Sequence, residues 1–295
     1  MQKLSEKMYW KIGGNCNEYY QVNSEKELKD VIKNADLSNV IVIGNGTNLL
    51  FDSEGFNGTV IKLGHCFDYV KKTDGLIEVG SSTWVPGLVR KLSQKGKGSL
   101  DHCIGIPATI GGLVVMNGGS QRRSISENIT SVRVMDYKGD ISIIDRSECE
   151  FNYRKSIFLN NDFIVLSVIL RLENITPNSN RNNLINILKE RRSKFPRKDP
   201  NCGSVFKSSK ELYDRIGPPG YIIESLGLKG YSIGGAKISN KHANFIINTG
   251  NATSNDVLQL VNYINHECYN KYGFRMESEA IYIDRSGFRC SLDKV

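Results

Sequence analysis

Residues 40–170 alternate short apolar runs with glycine-bearing turns and offer one clear helix, and nothing else in the chain restricts the fold as much. Val40 to Ile43 reads as a short buried strand that runs into "GNGTNLL" (44–50). "TVIKL", "LIEVG", "SVRVMD", "DISIID" and "DFIVLSVILRL" follow as further strands, with "VPGLVRKLSQKG" (85–96) as the helix among them. No repeat of fixed period and no low-complexity tract occurs, which excludes solenoids and propellers. The longest apolar run, "FIVLSVIL" at 163–170, is far too short to cross a bilayer, and "MQKLSEKMYW" at the start has no apolar signal-peptide core. The expectation is a soluble, unexported protein with no membrane partner.

After Arg171 the composition changes. "ENITPNSNRNN" is rich in Asn, Ser and Thr and carries Pro177, as a hinge does, so a domain boundary is expected near 175. Beyond it, Val257, Val261, Ile264 and Cys268 recur at helical spacing, with Thr253 or Ser254 as cap and Gly273 as stop. In "RMESEAIYID" strand alternation sets Glu277 and Glu279 on one face with Ile281 and Ile283, so that a carboxylate heads an apolar face.

Charge and cysteines bound the partners. The chain has 39 basic against 31 acidic residues, a net +8, compatible with nucleic acid, an anionic cofactor or a basic surface. The densest basic run, "KERRSKFPRK" (189–198), closes a helix and reads as a solvated helix end or an anionic-ligand rim rather than a nucleic-acid stripe. The seven cysteines are scattered with no CxxC spacing, which points to a reducing cytoplasm without a disulfide framework. No metal site is expected, because His65-Cys66 and His102-Cys103 are adjacent pairs whose side chains diverge.

Two glycine turns are candidates for phosphate: "GNGTNLL" and "GIPATIGGLVVMNGG" (105–119). Glycines permit positive φ and close approach, so that successive N–H groups can form an anion nest, to which Thr47, Asn48 and Asn117 add side-chain groups. Neither turn is a GxGxxG opening a long helix, and no GxxxxGK[ST] occurs, so any phosphate site here has another architecture. A third turn, "NCGSVFKSS" (201–209), leaves Ser204 open as either a turn hydroxyl or a reacting one.

Several stretches in one order resemble the flavoprotein family of UDP-N-acetylenolpyruvoylglucosamine reductases, also called UDP-N-acetylmuramate dehydrogenases. They are "YWKIGGNCNEYYQVNSEKELKDVI", "GNGTNLL", "GIPATIGGLVVMNGG", "YRKS", "GSVFK", "YIIESLGLKGYSIGGAKISNKHANFIINTGNATSNDV" and "FRMESEA", and they span nearly the whole chain. The resemblance implies an α+β fold: a two-subdomain FAD-binding unit of vanillyl-alcohol-oxidase type (1–64 and 65–175), then an α+β substrate domain (176–295). Little room between "VILRLEN" and "GSVFK" implies the shorter form of the family. The implied activity is NADPH-dependent reduction of UDP-GlcNAc-enolpyruvate to UDP-MurNAc in a cytoplasmic, monomeric enzyme that needs no nucleic acid.

The reaction requires a hydride at one alkene carbon and a proton at the other. Side chains carry no hydride, so flavin must supply it, recharged by a nicotinamide. Residue by residue, the resemblance implies Arg154 as the fork that holds the carboxylate or the developing enolate, Glu279 as its acidic partner, and Ser204 as proton donor. It implies pyrophosphate contacts from Gly44, Asn45, Gly46, Thr47 and Asn48, and from Ile106, Pro107, Thr109, Gly111 and Gly112, with Asn117 and Gly118 nearby. Lys207 is implied at the sugar-nucleotide phosphates, and His242 and Asn244 close to the substrate. The sequence departs from the family at Ala108, at Arg122 and Arg123, and at Ser208-Ser209, all in ligand regions. These departures keep open a paralogue acting on another enolpyruvyl sugar nucleotide, or an inactive sugar-nucleotide-binding protein.

Overall fold

The computed structural model describes residues 2–160 and 163–295. Its α-carbons cluster into two units, each discontinuous in sequence: Tyr19–Asn45 with Thr59–Arg191, and Met1–Glu18 with Gly46–Gly58 and Arg192–Val295. The expected boundary near 175 follows sequence order, whereas packing interleaves the segments. Helix Arg181–Lys194 lies beyond that boundary, yet its two buried apolar residues, Leu184 and Ile187, enter the core of the first unit.

The first unit is built on a five-stranded antiparallel sheet in the order Val70–Thr73, Leu76–Gly80, Phe163–Leu170, Ile129–Asp136, Ile141–Asp145. The central strand is a continuous apolar run because both its faces are covered. Val165, Val168 and Leu170 pack beneath helices Val85–Gln94 and Ile110–Val115, while Ile164 and Leu166 face a smaller core with Leu28 and Ile32 of helix Glu25–Asn34. A register shift between Val165 and Ser167 switches the alternation partway. Asp162, which opens the expected strand, lies outside the described residues. Helix Val85–Gln94 follows its sequence pattern, burying Val85, Leu88, Val89 and Leu92. Val40–Ile43 is a strand as expected and pairs in parallel with 59–62.

On the sheet, Arg133 makes a two-pronged hydrogen bond to Glu25, at 2.6 and 2.9 Å. This bond holds the Glu25 carboxyl below its usual range, against a smaller opposing effect of burial. A depressed folded-state pKa stabilises above the unfolded value, and the benefit disappears as pH falls through the folded value. With both side chains partly exposed, Glu25→Gln is expected to cost about 0.5–1 kcal/mol at neutral pH. The difference between the two proteins should close in acid below the ordinary carboxylate range, as read from paired denaturant midpoints. A gap of constant size would show that the pair contributes nothing through its charge.

The second unit carries the antiparallel strands Ser232–Ile233, Ala236–Ile238 and Ile246–Asn248, and a second sheet in the order Arg289–Ser291, Ile281–Ile283, Leu49–Phe51. Against them lies helix Ser254–Tyr272, with a Thr253–Asp256 capping box and Gly273 at φ 75° as its left-handed stop. Val257, Val261, Ile264 and Cys268 are all fully buried, as the spacing predicts. Trp10 is also fully buried and donates to the Ile246 carbonyl at 2.8 Å, so the N-terminal segment is part of this core.

The last strand differs from its expectation. Only Ile281–Ile283 pairs as a strand, and the buried positions before it are Met276, Ser278 and Ala280. Glu277 and Glu279 alternate with them and share the less buried side with Ile281, as expected, while Ile283 is buried. The strand is short because its partner changes: the backbone of 277–279 pairs with 205–207 instead of continuing the sheet.

Candidate active site

In the second unit, backbone pairing brings Ser204, Lys207, Glu277 and Glu279 together. Glu279 N–H donates to the Val205 carbonyl at 2.7 Å and Lys207 N–H to the Glu277 carbonyl at 2.9 Å, either side of a Phe206–Ser278 bridge. Val205, Phe206 and Ser278 are buried, whereas Lys207 and Glu279 are partly exposed and Glu277 is exposed. Ahead of this ladder, Asn201 Oδ1 accepts the Gly203 N–H at 2.9 Å, and Gly203 adopts φ 88°. This Asx turn, readable in "NCGS" though not singled out there, aims Ser204. A Cβ at Gly203 would meet nothing within 4 Å, so there is open space beside Ser204. The Ser204 hydroxyl is half-buried and takes up no hydrogen bond with the described residues. Its neighbour Cys202 has its thiol pushed up, first by burial and then by the Glu279 charge, and is inert as a nucleophile.

Three predicted binding residues have other partners. Lys207 Nζ is paired with Glu277, a contact that sequence reasoning passed over. Asn244, 4% exposed, spends both ends of its amide on the backbone of Phe206. His242 sits among Phe195 and Phe245, with ring centroids 5.3 and 5.1 Å away, and its Nδ1 accepts the Asn244 N–H. Burial, then the Lys229 charge, pushes its imidazole below the ordinary value. Asn48 donates from its side chain to the Glu279 carbonyl at 3.0 Å, and its own carbonyl accepts from Ile281 N–H.

In the first unit, Arg154 lies in a turn closed by Asn152 and Lys155 and adopts φ 54°. Its Nη2 donates to the Gly119 carbonyl at 3.1 Å and Nη1 to the Asn117 carbonyl at 3.5 Å, and the guanidinium stands 5.2 Å from the Tyr153 ring centroid. Asn117 braces the same turn, donating from Nδ2 to the Asn152 carbonyl at 2.8 Å and accepting Ser126 N–H. It is an internal brace of the turn that presents Arg154. Gly118 is buried next to it.

Also in the first unit, Gly44 and Asn45 meet the 107–109 turn. Asn45 donates to the Pro107 carbonyl at 3.2 Å, and a Cβ at Gly44 would lie 2.5 Å from Thr109 Oγ1. Thr109 caps the helix that follows, accepting from Gly112 N–H. Gly44→Ala is therefore expected to lower stability by about 1–3 kcal/mol through overpacking, measured as a denaturation-midpoint shift. Unchanged values would remove the close-approach argument.

The 44–48 turn fits an anionic group: Gly46 adopts φ 63°, and no acceptor among the described residues takes the N–H of Asn45, Gly46 or Thr47. The second turn is less open than expected. Ile110 and Gly111 N–H groups go to Thr83 and Ser81 carbonyls, and Gly112 N–H to Thr109. Gly111 serves close packing, since a Cβ there would lie 3.0 Å from Ser81 Cβ. Ile106 and Pro107 remain partly exposed on this turn.

Three of the departures have local structural roles. The Ala108 methyl belongs to the hydrophobic core. Arg123 pairs with Glu127 at 2.8 Å, and Ser209 caps helix Lys210–Arg215. A cavity of about 590 Å³ on the first unit's sheet, lined by Glu25, Tyr69, Glu78 and Arg133 among others, contains none of the predicted site residues. Among the described residues no helix is long and apolar enough to cross a membrane.

Residues 195–283 match the UDP-N-acetylenolpyruvoylglucosamine reductase C-terminal domain, and residues 18–145 an FAD binding domain. UDP-N-acetylenolpyruvoylglucosamine reductase 1 of Corynebacterium glutamicum is 41% identical over 96% of this chain and 85% of its own length. The reductase of Prochlorococcus marinus is 36% identical over 94% of both chains. The crystal structure of the reductase from Thermus caldophilus superposes with a TM-score of 0.80 at 28% identity, covering 95% of this chain and 97% of that one. The expected α+β fold, an FAD-binding domain followed by the reductase C-terminal domain, is thereby borne out.

Proposed function

This chain belongs to the UDP-N-acetylenolpyruvoylglucosamine reductase family, and on that premise we propose how its residues divide the work of reducing UDP-GlcNAc-enolpyruvate to UDP-MurNAc with NADPH. Bound FAD supplies the hydride, taken from NADPH, to the terminal methylene carbon of the enolpyruvyl group. The electron pair of the double bond then resides on the carbon next to the carboxylate, as an enolate. Arg154 stabilises that charge with its planar fork, and Glu279 orients the same end. Ser204 gives its hydroxyl proton to the carbon and is recharged from solvent. A serine hydroxyl is a weak acid, and it suffices here because the acceptor is a strong base.

The observation that supports the assignment is the ladder register: the residue after Ser204 binds Glu279 through its backbone at 2.7 Å, so one short pairing sets these two chain segments side by side. Gly44, Asn45, Gly46, Thr47 and Asn48, with Ile106, Pro107, Thr109, Gly111 and Gly112, are proposed around the FAD pyrophosphate. Within that set the free N–H groups of 45–47 are the direct contacts. Asn117 and Gly118 act by bracing the adjacent turn. Lys207 is proposed at the nucleotide phosphates, once released from Glu277, with His242 on the substrate side and Asn244 bracing the Phe206 backbone. By family analogy the functional division is 1–175 for FAD, with subdomains 1–64 and 65–175, and 176–295 for the nucleotide sugar.

We infer a monomeric cytoplasmic enzyme without nucleic-acid or membrane partners, since its nucleotide co-substrates are intracellular metabolites and its cysteines are free. The test is steady-state turnover. FAD-loaded protein given NADPH and UDP-GlcNAc-enolpyruvate should consume NADPH and form a product two hydrogens heavier than the substrate. NADPH consumption without that product would sink the reading.

A further inference from the structure

We propose that Asn244 is a positioning residue that sets the register of Ser204 and does not itself bind substrate. Its amide makes two bonds to one residue: Oδ1 accepts Phe206 N–H at 2.9 Å, and Nδ2 donates to the Phe206 carbonyl at 2.9 Å. Because a backbone N–H only donates and a carbonyl only accepts, the amide can sit in one orientation only. The Asn244 main-chain carbonyl also accepts Val205 N–H at 2.9 Å. One residue therefore satisfies three of the four backbone groups of Val205 and Phe206, immediately after Ser204.

On its other edge the same segment is bonded to Glu279 and Glu277. Residues 205–207 are thus a one-bridge strand held between residues 277–279 and an asparagine that takes the place of a neighbouring strand. With Asn244 at 4% and Phe206 at 1% exposed, water cannot replace these bonds when the amide is removed. The segment must then shift to satisfy Phe206, and Ser204, hinged at Gly203 with φ 88°, shifts with it. The amide keeps a second N–H and a second lone pair, but at 4% exposure it offers them little access to a ligand.

The inference rests on Ser204 being the proton donor, and the test separates the two. In anaerobic single turnover, reduced FAD-loaded protein is mixed with UDP-GlcNAc-enolpyruvate and flavin reoxidation is followed. Asn244→Ala is expected to slow reoxidation about 10²-fold through misplacement of Ser204. Flavin reduction by NADPH should not change, and substrate affinity should stay within about threefold, since no ligand contact is lost. Made on top of Ser204→Ala, the same substitution should cost less than about threefold more, because the group it positions is already absent. Asn244→Ser removes both bonds to Phe206 without introducing a charge, and serves as the second variant should the alanine form not fold.

Effects that simply multiply, or a flavin reduction that falls as far as reoxidation, would mean general damage and overturn the inference. A large loss of substrate affinity would overturn it in favour of direct binding. Wild-type protein that is not reoxidised at all would overturn the Ser204 reading itself, and this inference with it.

Discussion

Replacing Ser204 by alanine is expected to slow flavin reoxidation by UDP-GlcNAc-enolpyruvate by about 10²–10⁴-fold, the usual contribution of a positioned acid. Flavin reduction by NADPH should be left nearly untouched. The asymmetry arises because the hydroxyl acts only once the enolate exists, and NADPH oxidation involves no carbon protonation. Structural damage is a poor alternative explanation: the Ser204 side chain is half-buried and forms no hydrogen bond with the described residues, so alanine leaves no orphaned polar group. Thermal stability should stay close to wild type. If both half-reactions survive unaltered, Ser204 is a turn residue, as "GS" alone suggests.

Arg154→Gln is expected to slow the same half-reaction by about 10²–10³-fold, the typical cost of one preorganised donor to a developing oxyanion. Two carbonyls, Gly119 and Asn117, hold the guanidinium at 3.1 and 3.5 Å, and the Tyr153 ring adds a face. Lysine keeps the charge but neither the fork nor those paired bonds, so Arg154→Lys should recover only part of the loss. The effect should appear with substrate and be absent when an artificial acceptor such as ferricyanide reoxidises the flavin. A similar decline with both acceptors would place Arg154 in holding the flavin and not the substrate.

Much of this architecture was legible in the residues. The helix 254–272 followed from the spacing of Val257, Val261, Ile264 and Cys268 and from its caps. The sheet of the first unit followed from apolar runs bounded by turns. Long periodic elements bury a face, and that burial is written in sequence. The last strand pairs over a shorter stretch than the alternation in "RMESEAIYID" implies, because pattern alone does not fix partner choice. Residues 277–279 pair with 205–207, some seventy positions away, and no local pattern announces such a pairing. The interleaving of the packing units is hidden for the same reason: Trp10 buries itself beneath Ile246 through a contact 236 residues apart in sequence.

The site shows the same division. Ser204, Arg154 and Glu279 are proposed from motif order, which is residue-type information. The roles of the asparagines were not. Asn48, Asn117 and Asn244 carry polar groups that suit a ligand, and in sequence a ligand contact and a backbone brace look alike. The structure turns all three toward main-chain atoms beside the three proposed catalytic residues. Similarly, the Ala108 methyl, which adds bulk to a phosphate turn on paper, is buried in the core instead.

The most direct test of the central claim is one anaerobic mixing experiment. Protein loaded with FAD and reduced with one equivalent of NADPH is mixed with UDP-GlcNAc-enolpyruvate, and the visible flavin band is followed while the quenched product is weighed. The account predicts rapid return of the oxidised spectrum, with UDP-MurNAc formed in step. A flavin that binds and is reduced but stays reduced in the presence of this substrate would contradict it.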